Sequence, residues 1–206
     1  SKTAVTNLVS NTGVVASDVT GVGTARSHLA ACEYGGDKGI FGYGHTGSYV
    51  STTNLVSNAG VVGTDVTGVG QTRGELAACS YGEDKGIFGY GYKAHGSVSM
   101  TNLVSNSGVV STDVTGVGTA RYGPTACEYG EDKGIFGFGH DGSSYGSMTN
   151  LVSNTGVVAT DTAGVGTARM ASKACGYGED KGIFGFGSTG SYTAITSLVS
   201  NVGVVS

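Results

Sequence analysis

Tryptophan is missing from this 206-residue chain, proline occurs once, at Pro124, and lysine and arginine together number 11. So few basic residues, at a net charge of −4, argue against a nucleic-acid or anionic-membrane surface, which needs clustered Lys and Arg to displace counterions. Long apolar runs are lacking as well. None approaches the roughly 18 residues that cross a bilayer, and the N-terminus shows no signal-peptide pattern. The chain therefore reads as soluble, and as a candidate fragment. No stretch of ten residues holds the 3.6-residue apolar period of an amphipathic helix.

Catalytic signatures are equally scarce. There is no Gly-x-Ser-x-Gly elbow, no His-Glu-x-x-His helix and no unique carboxylate pair. Gly-Val-Gly-Thr before Arg26 precedes a strand rather than a helix, so it is no phosphate or dinucleotide loop. The expectation is a non-enzyme without a cofactor or metal. What the chain has in excess is glycine, 39 residues against a usual share of about 7%. These glycines do not fall on every third position, which excludes collagen. They sit at fixed places beside Val, Ile, Phe and Tyr, as in short strands joined by tight turns.

Those fixed places belong to an internal repeat. The run Thr6 to Asn11 returns as Thr53 to Asn58, Thr101 to Asn106 and Thr149 to Asn154, and more weakly as Thr196 to Asn201. Leu8, Leu55, Leu103, Leu151 and Leu198 lie 47, 48, 48 and 47 residues apart. A period this strict predicts supersecondary units packed on one another in a single domain, 1–206. Its outer half-unit spans 1–22, and four repeats follow from about 23 to 206, ending in a fifth outer half. Asp18, Arg26, Asp37 and Lys38 recur in register in each copy, which suits strand-end and turn fixtures better than a catalytic set.

Within the third copy, Thr119 to Cys127 reads as a small-residue strand and Tyr129 to Gly134 as a hairpin turn. Gly134 to Gly139 reads as a central strand with Phe136 and Phe138 on one face and Ile135 and Gly137 on the other. A variable loop, His140 to Ser147, leads to a third strand over Thr149 to Ser153. A turn at Asn154-Thr155-Gly156 then leads to a short fourth strand around Val157 and Val158. Four antiparallel strands repeated at about 48 residues are the unit of a β-propeller blade, with four blades favoured. A five-blade ring, a solenoid, and two chains that complete one another through their terminal half-blades stay open as alternatives.

Arginine, a small-residue strand, a turn and an Ile-Phe-Gly-Phe-Gly strand, with Tyr in place of the second Phe in the first two copies, recur along the chain, and in this it resembles kelch repeats. The kelch double glycine is replaced by Phe138-Gly139 or Tyr43-Gly44, and the outer tryptophan is absent. The repeat is also similar to kelch-like arrays in structural or tail-associated proteins of bacteriophages. Those resemblances imply an all-β propeller acting as a structural or binding module, at a virion or extracellular surface. Some kelch-like propellers are copper oxidases, but no unique Tyr, Cys and His set of that kind occurs here.

Two features could carry ligands. Cys32, Cys79, Cys127 and Cys175 take the same position in each copy and could ring an axis. Fourfold geometry suits zinc poorly, and packing on a crowded inner strand is the simpler account. The histidines His45, His95 and His140 all fall in the loop between the second and third strands, where the copies differ. The start of the first strand also differs: Ser27-His28-Leu29, Gly74-Glu75-Leu76, Tyr122-Gly123-Pro124 and Met170-Ala171-Ser172. An up-and-down path puts both variable stretches at one edge. This makes His45, Tyr49, Tyr92, His95, His140, Asp141, Tyr145 and Tyr192 candidate ligand-binding residues for a sugar or a peptide. The expected partners are proteins, the chain itself, or a glycan.

Overall fold

In the computed structural model, which describes residues 1–206, the chain is all-β with no helix, so no helix is long and apolar enough to cross a membrane. The first sheet comprises β1 (Ala30–Tyr34), β2 (Lys38–His45) and β3 (Tyr49–Val56). The second sheet has β4 (Ala77–Tyr81) and β5 (Lys85–Gly89), then a two-residue pair, β6 (Tyr92–Lys93) and β7 (Gly96–Ser97), then β8 (Thr101–Val104). The third sheet has β9 (Thr125–Tyr129), β10 (Lys133–Gly137) and β11 (Thr149–Val152), and the fourth has β12 (Lys173–Tyr177), β13 (Lys181–Gly185) and β14 (Thr196–Val199). Each of these four three-stranded sheets is antiparallel with its second strand in the middle, and β6 and β7 form a separate two-stranded pair.

A full fourth strand does not form. It is reduced to isolated bridges: Thr53 to Val66 and Val56 to Val62 in the first repeat, and Thr101 to Val114 and Val104 to Val110 in the second. The Ser-Asn-x-Gly turn enclosed by the inner bridge is closed by serine, whose hydroxyl accepts the N–H of Val61 or Val109. This side-chain bond replaces a strand ladder with a compact turn. Residues 6–19 form one more such hairpin, bridged from Thr6 to Val19 and from Val9 to Val15.

The alternation expected along the central strand breaks at its end. Tyr43, Tyr90, Phe138 and Phe186 have φ between 61° and 64°, in the left-handed region, and the register of β2 shifts between Gly42 and Gly44. That bulge turns the second aromatic over. Phe136 packs with Ile87 and Tyr90 of the preceding repeat, whereas Ile135 and Phe138 pack with Phe184 of the following one. Phe136 and Phe138 thus lie on opposite faces, a correction to the simple period of two.

Neighbouring sheets meet face to face through four recurring contacts. A Cβ on Gly42 or Gly89 would stand 2.6 Å from the ring tip of Phe88 or Phe136, so each phenylalanine seats on a glycine of the sheet before it. The guanidinium groups of Arg73, Arg121 and Arg169 lie 4.2, 3.9 and 3.7 Å over the rings of Tyr43, Tyr90 and Phe138. Cys32, Cys79 and Cys127 rest on Gly86, Gly134 and Gly182 of the next sheet. Backbone bonds of 2.7 Å run from the N–H of Gly35, Gly82 and Gly130 to the carbonyls of Asp84, Asp132 and Asp180.

The sheets therefore form a row, with β1, β4, β9 and β12 side by side along its inner side. The row does not close: β12 packs on β9 and makes no comparable contact with β1. Its core lies between sheets, and the middle interfaces are the most deeply buried.

Candidate functional site: an aromatic row on the variable edge

Both variable stretches lie on one edge of the row, held together by bridges from Ser27 to His45, Gly74 to Tyr92, Tyr122 to His140 and Met170 to Ser188. The aromatic side chains there form a continuous line. His45 meets Tyr49 at 5.1 Å between ring centroids, and Tyr49 meets Tyr92 at 6.2 Å. Tyr92 meets Tyr122 at 5.2 Å, Tyr122 meets His140 at 5.2 Å, and His140 meets Tyr145 at 4.9 Å. Most of the pairs are edge-to-face, a geometry favoured by the ring quadrupoles.

Six rings from three repeats thus make one half-buried ledge. Partial burial raises the phenol pKa of Tyr49 and Tyr122, and the carboxylate of Glu75 adds to it, so both hydroxyls stay protonated and able to donate. The Gly142 N–H donates to His140 Nδ1 at 2.9 Å, which leaves the His140 proton on Nε2. Lys2 Nζ reaches His45 Nδ1 at 3.0 Å.

Of the candidates read from the sequence, the structure brings His45, Tyr49, Tyr92, His140 and Tyr145 together. Asp141 turns inward on its own loop, accepting the N–H groups of Ser143 and Ser144, and these bonds pull its carboxyl below the usual range. His95 is exposed at the tip between β6 and β7, away from the row. Tyr192 is 99% exposed, because its bridge partner is Ser188 where other copies have His or Tyr. Tyr122 was missed as a site residue. The signal for it was its place at the start of a first strand, opposite His140.

Of the recurring charges, the arginines and the aspartates that follow the third strand build a buried layer in the second and third sheets, while the Asp37–Lys38 pair and its counterparts stay at exposed turns. Arg73 and Arg121 are fully buried, and their Nη2 atoms donate to Asn102 and Asn150 at 2.7 Å. Those asparagines in turn donate to Asp113 and Asp161 at 2.9 Å, and each aspartate accepts a backbone N–H from Gln71 or Thr119. Such buried guanidinium groups are held by planar, fully partnered geometry.

The cysteines are free and line a shallow inner groove of about 280 Å³. Burial pushes the thiols of Cys32 and Cys127 up to about 12. No group of three or more His, Cys, Asp or Glu side chains is placed to hold a metal ion. Compared with known proteins, the chain matches no family model and no curated protein.

Proposed function

We propose that the chain is a non-enzymatic structural and binding module of a larger assembly, built as an arc of kelch-like β-propeller blades. The propeller reading is supported by face-to-face sheets whose innermost strands line one common groove. The assembly reading rests on one observation: the outward face of the fourth sheet is bare. Tyr177, Leu198 and Phe186 are 41%, 45% and 62% exposed, although their counterparts Tyr129 and Phe138 are buried against a neighbour. Exposed aromatic and aliphatic groups grouped on a sheet face mark an interaction surface. A virion or extracellular surface is the setting this reading carries.

Sedimentation velocity over a range of protein concentrations tests the assembly reading. Species heavier than the 20.4 kDa chain should appear and grow with concentration. A single 20.4 kDa species throughout would sink self-association.

The aromatic row favours a second reading, a glycan-binding edge. Rings set in a line can stack on successive sugar faces while phenol and imidazole groups hydrogen-bond to hydroxyls. Because tryptophan is absent, emission comes from the 11 tyrosines, four of which, Tyr49, Tyr92, Tyr122 and Tyr145, lie on this edge. Titration with soluble oligosaccharides should give a saturable change that Tyr92→Ala and Tyr122→Ala abolish. Binding that survives both substitutions would place the ligand elsewhere.

A further inference from the structure

The two ends of the row are complementary halves of the contact that recurs inside it. The fourth sheet offers Gly185, where a Cβ would meet only Thr196 at 3.6 Å, as an unfilled seat for a phenylalanine. Its Phe186 ring carries no arginine, and its Cys175 is exposed with no glycine beside it. The first sheet presents the opposite set. Phe41 is only partly buried, Gly39 has no cysteine on it, and Arg26 has no ring beneath it. The Arg26 side chain is only 6% exposed, yet its Nε has no partner.

The hairpin 6–19 already occupies the place of an outer pair beside the first sheet. Leu8 rests on Gly60 as Leu55 rests on Gly108, Leu103 on Gly156 and Leu151 on Gly203. Between this hairpin and the first sheet lies a groove of about 350 Å³, lined by Asn7, Leu8, Gly39, Phe41 and Val56 among others. A neighbouring cavity of about 370 Å³ shares Asn7 and Phe41 and reaches Arg26. In the interior this room is filled by the first and second strands of a repeat.

Polar groups match as well. Within the hairpin, Asn7 donates to Asp18 at 2.8 Å and to the Ala16 carbonyl at 3.0 Å, which is the asparagine–aspartate half of the buried arginine clamp with no arginine opposite. The fourth sheet has the other half. Arg169 Nη2 meets only the Ser197 hydroxyl at 3.2 Å, and its Nε has no partner.

We propose that the occupant of the groove is a second copy of this chain, docked through its β12–β13 pair, with residues 6–19 of the first copy replacing Thr196–Ser206 on the second copy's β13. The inference rests on the assembly reading and names its partner and register. Phe41 then seats on Gly185, Arg26 covers Phe186, and Cys175 abuts Gly39. Asn7 and Asp18 supply Arg169 with the partners that Ser197 alone does not. The exchange trades one outer hairpin for another of nearly the same sequence, so little is lost in the strand released. Because the contact is heterologous, each added copy leaves one free end of either kind, and growth continues head to tail.

The test uses the full chain at a concentration where it associates, with thermal melting as a control for folding. Gly185→Val should weaken association at least about tenfold, equivalent to about 1.4 kcal/mol. The double variant Asn7→Ala, Asp18→Ala should do the same. Hydrogen exchange should show Thr196–Ser206 losing protection on association while residues 6–19 gain it. In a Gly39→Cys chain, diamide should oxidise that thiol and Cys175 to a disulfide linking two chains. Association indifferent to these substitutions would overturn the exchange while leaving the assembly reading in place. A monomer with no association fails both, and a disulfide within one chain would show that the row closes on itself instead.

Discussion

At the scale of single residues, the fold depends on positions where a side chain and a vacancy meet. Gly89 and Gly185 stand at equivalent places, but a methyl group on Gly89 would press to 2.6 Å from Phe136 while one on Gly185 finds ordinary space. Gly89→Ala should therefore cost about 1–3 kcal/mol, as overpacked cores do, and Gly185→Ala close to nothing. Urea denaturation of the two variants reads the difference. Arg121→Ala should be more damaging, at about 3 kcal/mol or more. It removes a fully buried side chain that covers Tyr90 and bonds to Asn150 and the Phe138 carbonyl, leaving those acceptors unpaired. Equal losses for Arg121→Ala and Arg26→Ala would contradict this, because Arg26 lacks the ring and the Nε bond.

Thiol chemistry follows the same logic. Cys79 is fully buried and its pKa is well raised by that burial, whereas Cys175 is exposed. Only the thiolate is nucleophilic, so iodoacetamide should modify Cys175 first and reach Cys79 and Cys127 only on unfolding. Early modification of Cys79 in the folded chain would contradict the packing described.

At the scale of the element, the outer hairpins are tied to the arginine layer by aspartates. Thr24 donates to Asp65 at 2.6 Å through its hydroxyl and again through its N–H, and these bonds with that of Asn54 pull the carboxyl below its ordinary value of 3.8. Asp161 is pulled down too: burial opposes ionisation there, but the bonds from Thr119 and Asn150 outweigh it. Carboxyls lowered on folding stabilise the native state above the unfolded pKa, and the contribution is lost as pH falls through the folded one. The urea midpoint should therefore hold steady down to about pH 4 and fall below it. Thr24→Val should flatten that fall, and a midpoint unchanged at pH 3 would contradict the role assigned to these bonds.

Elements were also where sequence reading succeeded and failed most visibly. The hairpin turn at Tyr129 to Gly134 and the third strand from Thr149 were legible because glycine, aspartate and β-branched residues each act locally. The reversal at Phe138 was not, since a left-handed aromatic is set by the bulge and the guanidinium packed over it. The fourth strand was overread, because Val157 and Val158 have strand propensity but the Ser153 hydroxyl closes a turn first. At the variable edge, five of the eight candidates converge. Tyr192 fails for want of an adjacent ring in its own copy, a matter of three-dimensional neighbours that its identity could not reveal.

At the scale of the whole molecule, each sheet is stabilised by the sheets on either side, so stability is a sum over interfaces. The end sheets have fewer neighbours. Native-state hydrogen exchange should be fastest along β12 and slowest in β5 and β10, whose Ile87 and Ile135 are wholly buried. Uniform protection across the four sheets would mean that the row unfolds as one unit.

The seating of phenylalanine on glycine has a consequence for how such a molecule can change. Since every repeat offers its neighbours the same knob and the same socket, a 48-residue unit could be spliced in or out and the severed surfaces would rejoin without new contacts having to be invented. Reach along the row is thus a number that duplication can count out, while the chemistry of the variable edge is rewritten one copy at a time.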